Sequence, residues 1–167
     1  MTQTQLFLAE IDRESERSRR ALECVPPGQA KWKPHDKSME FFPLASMVAT
    51  IFTWVPMIIN MDELDVAPKE PRPRPEPLQT SAEYLAALDK AVADAKAALT
   101  KTTDAHLETP WKLLAGGHVV IEMPRRDMLR DTLNHLAHHR GQMTVYLRLM
   151  GAKVPALYGP SADDKRF

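Results

Sequence analysis

Apolar positions recur every three or four residues along four stretches of the chain, and that periodicity gives way to a β-branched run in a fifth. In the first stretch, about Thr4 to Cys24, Leu6, Phe7, Ile11, Ala21 and Leu22 are apolar and charges crowd Asp12 to Arg20. This predicts an amphipathic helix with a weak middle, stopped by Val25-Pro26-Pro27-Gly28. Arg17, Arg19 and Arg20 are expected on a solvated face. Residues 29 to 37 read as a loop, after which Ser38 is the expected cap of a second helix running to about Asp62. Leu44, Val48, Ile51, Val55 and Ile58 keep helical spacing there and are candidate core. Pro43 is tolerable near that helix's start, and Pro56 is expected to kink it or end its regular part.

The third helix is expected from about Ser81 to Thr100, burying Leu85, Leu88, Val92, Ala95 and Leu99. Counted from Ser81, no glutamate stands at capping-box spacing. Trp111 to Met123 differs: Val119, Val120 and Ile121 are β-branched, and Gly116-Gly117 suits the positive φ angles of a tight hairpin turn. A two-stranded ribbon is predicted. Pro124 then occupies the first turn of a fourth helix that runs to Met150 and is ended by Gly151.

Between the second and third helices, residues 65 to 79 carry Pro68, Pro71, Pro73, Pro75 and Pro77. Such a segment favours an extended path, and fifteen residues reach roughly 45 Å. The preceding helix is roughly 36 Å long. The linker can therefore return along the whole molecule, so the two helices need not form an antiparallel hairpin. The predicted fold class is all-α: a four-helix bundle with a long proline-rich crossover between helices 2 and 3 and a small β-ribbon before helix 4. Residues 1–167 are expected to form a single domain.

Lys and Arg total 22, as do Asp and Glu, so the formal net charge is zero. Nucleic-acid binders usually carry a net basic face, and no nucleic-acid partner is expected. The single cysteine, Cys24, precludes an intramolecular disulfide and fits a cytoplasmic location. Met1 to Glu10 lacks the pattern of a signal peptide. The most apolar stretch, Phe41 to Met61, is interrupted by Pro43, Ser46, Thr50, Thr53, Pro56 and Asn60, and no membrane partner is expected.

Candidate chemistry concentrates in Leu133-Asn134-His135-Leu136-Ala137-His138-His139-Arg140-Gly141-Gln142. On a helix His135 and His139 differ by only about 40° around the axis, so their imidazoles can converge on one ion. Gln142 and Tyr146 continue the stripe. Two histidines do not complete a zinc or nickel site, and by spacing alone the pair reads first as histidines that cap surface carbonyls or hydrogen-bond within the core. His35, His106 and His118 fall on loops or ribbon and are expected to be exposed.

His135-x-x-x-His139-Arg140-Gly141-Gln142, followed by Tyr146-Leu147-Arg148 and Gly151, resembles the last-helix signature of DinB-like (YfiT-like) proteins. Trp32-Lys33-Pro34-His35-x-Lys37-Ser38-Met39, the Trp111 to Pro124 segment and the ending Val154-Pro155 to Tyr158-Gly159-Pro160-Ser161-Ala162-Asp163 are similar to a subgroup of that family. The resemblance implies a four-helix bundle, often a homodimer, with a divalent metal held by three histidines. Some such proteins are thiol-dependent S-transferases. His135 and His139 match two of the ligands. The third is implied on the second helix, in a His-Val-Ala-Glu-like run before a Trp. Here that run is Met47-Val48-Ala49-Thr50, followed by Trp54. A thioether is a poor partner for Zn²⁺ or Ni²⁺ and an acceptable one for Cu(I), and Met47 reads first as core filling, the usual role of a methionine. Zinc or nickel is therefore expected to bind weakly or not at all.

Two functions stay open on this sequence. One is a metal-dependent thiol S-transferase or hydrolase-like enzyme with an incomplete site, in which His135 and His139 are ligands and Met47, Trp54, Gln142 and Tyr146 line the pocket. The other is a non-catalytic relative that binds a small molecule or serves as a dimeric interaction protein. Either would pair through helix faces, with Phe41, Phe42 and Ile59 among the apolar side chains a second copy would cover.

Overall fold

A computed structural model describes residues 1–70 and 78–166. The chain is mostly helical with a small three-stranded sheet. Helix α1 spans Gln3–Glu23, α2 Phe41–Thr50, α3 Trp54–Asn60, α4 Ser81–Lys101, α5 Asp104–Leu107 and α6 Arg125–Leu149. Strands β1, β2 and β3 are Glu63–Asp65, Pro110–Ala115 and His118–Pro124.

Helix α1 is started by a capping box in which Thr2 and Gln5 satisfy each other's backbone donors. The second predicted helix starts at Phe41 rather than after Ser38, which lies in a turn and donates its amide to the His35 carbonyl. It is also broken into α2 and α3 by a 3₁₀ turn over Ile51–Thr53, upstream of Pro56. Two sequence features account for the break. Pro56 has no amide proton to offer the carbonyl four residues back, and the Thr50 hydroxyl donates to the Ser46 carbonyl at 2.8 Å, a bond that bends helices. Pro43 sits within the first turn of α2, as expected.

Helix α4 is capped by Thr80, not Ser81, and from Thr80 the glutamate spacing of a capping box is met: Glu83 accepts from the Thr80 amide at 2.8 Å and Thr80 from that of Glu83 at 3.2 Å. The short α5 has no counterpart in the apolar periodicity.

The ribbon is present, with Gly116 and Gly117 at φ of 61° and 83° forming the turn between β2 and β3. It gains a third strand: β1 pairs parallel with β2, Leu64 opposite Leu113. Asp65 ties the two parts together, its carboxylate accepting from the amides of Gly116 at 3.1 Å and Gly117 at 2.7 Å. Pro124 is the last residue of β3 and the residue before α6, one position earlier than its expected place in the first turn. Gly151, at φ 73°, follows the end of α6. The prolines of the predicted crossover at 71, 73, 75 and 77 lie outside the described residues.

Packing runs in a ring: α1 against α4, α4 against α2 and α3, these against α6, and α6 against α1. Side-chain bonds give the directions. Lys96–Asp12 and Arg19–Asp89 pairs set α4 antiparallel to α1. Arg130–Glu10 and Arg140–Glu14 pairs set α6 parallel to it. The α2–α3 arm runs antiparallel to α6, because Tyr146 reaches Met39 and Arg125 reaches Met61.

Leu44, Val48, Ile51, Val55 and Ile58 are buried, as their spacing implied. Phe41–Asn60 is long and apolar enough to cross a membrane, with a mean hydropathy of 1.8, and half of that stretch is buried against the rest of the chain. Phe41 and Ile59 are themselves buried and Phe42 half-buried, so this chain already covers the side chains assigned to a second copy. Large apolar groups are exposed instead at Val145 and Leu149 of α6 and at Val119 and Val120 of β3.

The arginines depart most from a solvated face. Arg17 pairs with Glu14 and donates to the Leu157 carbonyl at 3.2 Å, Arg19 pairs with Asp89, and Arg20 with Glu16. Arg140 is fully buried; it pairs with Glu14, donates to the Ser18 hydroxyl at 3.1 Å and to the Glu14 carbonyl at 2.9 Å, and meets the Tyr158 hydroxyl.

Candidate functional site

Helix α6 places the paired histidines. Its buried stripe includes Leu129, Leu133, Leu136, Met143 and Leu147. At about 100° per residue, His135, His139, Gln142 and Tyr146 fall on one flank of that stripe and Arg140 within it. Arg140 ties the stripe to α1, which fixes the rotation of α6 and with it the direction in which the histidine flank faces.

The two imidazoles converge. Nε2 of His135 lies 2.6 Å from Nε2 of His139, and the ring centroids are 4.4 Å apart. Nδ1 of His139 lies 2.8 Å from the Gln142 side-chain carbonyl. An amide oxygen only accepts, so His139 carries its proton on Nδ1 and turns the Nε2 lone pair toward His135. Gln142 thus orients His139 and sets its tautomer. His139 is buried, whereas His135 is exposed, so the pair opens to solvent on one side. Burial, with the neighbouring His139 and His138, lowers the His135 pKa from its ordinary 6.5. The exposed His138 packs edge-on against the His139 ring, 5.0 Å away.

Tyr146 continues the stripe but points its hydroxyl away, donating to the Met39 carbonyl at 3.2 Å. Its ring meets Trp32 edge-on at 5.3 Å. Trp32 thus stands beside Tyr146, near the C-terminal end of α6. It was legible only as part of a motif, since a tryptophan between prolines and lysines has no helical period to place it.

Met47 is half-buried on α2. Because residues 39 and 61 stand beside 146 and 125 on an antiparallel neighbour, even spacing brings Met47 level with about residue 138 of α6. Its neighbour Ser46 lies beside Tyr84 of α4. Trp54 is half-buried against the core at the start of α3. The 3₁₀ turn between them means that Met47 and Trp54 do not share one continuous helical face. His35 and His118 are exposed, as expected; His106 is not, being half-buried with Nε2 2.8 Å from the Ile59 carbonyl.

The donor set can be compared with what a metal demands. Structural and catalytic zinc sites use three or four protein ligands. Among the described residues no group of three or more His, Cys, Asp or Glu side chains is placed to hold an ion. The two imidazoles therefore do not make a three-histidine centre.

A model of the DinB family matches residues 1–166. Among curated proteins, the uncharacterized protein YrdA of Bacillus subtilis (strain 168) is 34% identical over 107 residues, which is 63% of this chain. The chain spans 59% of the length of that relative. Among solved structures, a DinB-like protein from Bacillus cereus ATCC 10987 superposes with a TM-score of 0.68 at 24% identity, covering 91% of this chain and 95% of that one. A DinB-like protein (YjoA) from Bacillus subtilis superposes with a TM-score of 0.67 at 16% identity, covering 96% and 99%. At these identities the two structures bear on fold alone.

Proposed function

The chain belongs to the DinB family, and on that footing we propose that its metal centre is reduced to a two-imidazole site of low affinity for zinc and nickel, set in a small-molecule groove between α2 and α6. The supporting observation is the pair itself: two Nε2 atoms 2.6 Å apart, one tautomer set by Gln142, with no third histidine, thiolate or carboxylate grouped with them among the described residues. Met47, Trp54, Gln142 and Tyr146 are the proposed lining. The parallel course of α2–α3 and α4 supports the finer reading of the fold: a single-domain four-helix bundle whose connection between α3 and α4 crosses back along its length.

The rival reading is a metal-dependent thiol S-transferase or hydrolase-like enzyme. It draws on the open side of the pair, which a ligand exchange reaction would use.

Titration calorimetry of tag-free protein with zinc and nickel separates the two. Wild type is expected to bind weakly. Met47→His is expected to bind at least one to two orders of magnitude more tightly, roughly 1.4 to 2.8 kcal/mol, by completing the ligand set. Adding His135→Ala should abolish the gain. Tight stoichiometric binding already in wild type would overturn the degenerate-site reading, and no gain in the variant would mean that position 47 does not face the pair.

We also propose a cytoplasmic homodimer. Val145 and Leu149, one turn apart on the outer face of α6, are 57% and 59% exposed and supply an apolar contact for a second copy. Light scattering at micromolar concentration is expected to give twice the chain mass; a monomer mass removes the proposal.

A further inference from the structure

A second cluster of polar chemistry lies at the foot of α6, about 15 Å along the helix from His135. Arg125, the first residue of α6, is 2% exposed. Its Nη1 donates to the Pro110 carbonyl, and its Nη2 to the Met61 carbonyl at 3.1 Å and to Asp62 at 2.6 Å. The Nε–H is buried as well, and among the described residues it has no acceptor. Nε and Nη2 form one edge of the guanidinium, an edge that takes the two oxygens of a carboxylate side by side. Asp62 therefore fills one prong of a two-pronged fork. Its side chain is 96% exposed, so it can swing into solvent without breaking any packing of its own.

We propose that the cavity of about 410 Å³ lined by Asp62, Glu63, His106, Lys112 and Arg125 binds a free α-amino acid, whose carboxylate takes the Nε–Nη2 edge in place of Asp62. The site lies apart from the paired histidines and does not depend on how they are read.

Charge selects a zwitterion over a simple anion. Asp62 and Glu63 balance Lys112 and Arg125, so the lining has no net formal charge. A plain carboxylate would add an uncompensated negative charge beside Glu63 and the displaced Asp62, whereas a zwitterion adds none. Glu63 and Lys112 stand opposite each other in the register of β1 and β2, yet among the described residues neither side chain makes an ion pair. Each is open to a ligand group of opposite sign, the ammonium at Glu63 and the carboxylate at Lys112. His106 adds an acceptor. Its Nε2 lies 2.8 Å from the Ile59 carbonyl, which can only accept, so in the neutral ring Nδ1 keeps its lone pair for the ammonium. The volume is at the small end of ligand cavities, roughly 300–1,000 Å³, which favours short side chains.

The test is a titration of the ¹⁵N-labelled full chain with glycine and L-alanine, read from the backbone amide shifts of Glu63, Lys112, Arg125 and Arg126. Acetate and glycinamide serve as probes that carry only one of the two charges. Wild type is expected to give saturable shifts with both amino acids and to bind either probe about tenfold more weakly, the loss of one charged hydrogen-bonded contact. Asp62→Ala removes the internal competitor and should bind glycine several-fold more tightly. Glu63→Gln should weaken glycine without weakening acetate. Arg125→Lys loses the fork and should bind glycine about tenfold more weakly. Arg125 is buried, so circular dichroism checks the fold of that variant; if it does not fold, Asp62→Ala and Glu63→Gln, both at exposed positions, decide.

An absence of saturable shifts in wild type overturns the site. Equal glycine affinity in wild type and Asp62→Ala does the same, because Asp62 would then not be the group displaced. Acetate binding as tightly as glycine, or Glu63→Gln weakening both alike, overturns the assignment to an amino acid. Shifts spread over the surface and unchanged by every variant would be adventitious binding and overturn it too. None of these results bears on the zinc and nickel titrations, so the paired-histidine reading stands or falls separately.

Discussion

Arg140→Ala is expected to lower the unfolding free energy by about 3–5 kcal/mol, because it takes the buried cation away from a buried carboxylate. Arg140 is fully buried and Glu14 nearly so, and the two are paired with Ser18 and Tyr158 completing the bonds. Truncating Arg140 removes the cation and leaves Glu14 with only Arg17 and the Tyr158 hydroxyl as partners. Replacing both Glu14 and Arg140 by apolar residues of similar volume is expected to restore much of the loss, since the desolvation of two charges disappears with their attraction. Urea unfolding followed by tryptophan fluorescence measures both. The pair also gives a pH signature. Burial raises the Glu14 pKa, but the hydrogen bond and charge of Arg140, with Tyr158 and Arg17, outweigh it and leave the group below its ordinary 4.5. A carboxyl lowered in the folded state stabilises the protein fully above the unfolded value and loses that contribution as pH falls through the folded one. Wild type should therefore lose stability below pH 4.5 more steeply than Arg140→Ala. A loss under about 1 kcal/mol for Arg140→Ala, on the scale of an exposed pair, would show that the network adds little.

Trp111→Ala is expected to cost a similar amount, about 3–5 kcal/mol, by emptying a site the size of an indole. Trp111 is fully buried at the start of β2, where the sheet meets the helical core. Among the described residues its ring nitrogen has no hydrogen-bond partner. That distinguishes packing from bonding: Trp111→Phe keeps most of the apolar volume and removes an unpaired buried donor, so its cost should stay below about 1.5 kcal/mol. The two variants measured by thermal or urea unfolding check this together. A phenylalanine variant as unstable as the alanine one would mean that the indole N–H has a partner after all.

What was legible in the chain was what repeats locally. The i, i+4 spacing of His135 and His139 and the helical period of Leu44, Val48, Ile51, Val55 and Ile58 are short-range patterns, and both emerge as read. The hairpin was legible because a glycine pair between β-branched residues has few other uses. Interactions that close over long distances left weaker marks. Strand β1 offers one apolar residue, Leu64, between two acidic ones, and only its parallel partner makes it a strand. Arg140 has the composition of a surface residue, and its burial depends on Glu14 and Ser18 from another helix. Thr80 and Ser81 are both good caps, and Glu83 three residues after Thr80 was the mark that separates them. The lining of the site divides in the same way. Gln142 and Tyr146 could be placed on the histidine flank by counting, whereas the break at Ile51–Thr53 removes the common register assumed for Met47 and Trp54.

The three strands do not come together at the same moment. β2 and β3 are joined by two glycines, so their ladder closes a very short loop and can form on the microsecond scale of an isolated hairpin. β1 must wait, because the Asp65 carboxylate and the Gly116 amide it binds are 51 positions apart, with the whole of α4 between them. Closing that span costs chain entropy before any bond repays it. Until the helices have docked, the hairpin therefore presents an open β2 edge with unpaired amides and carbonyls, and the three-residue β1, with its two acidic side chains, is what seals that edge against another chain at the end of assembly.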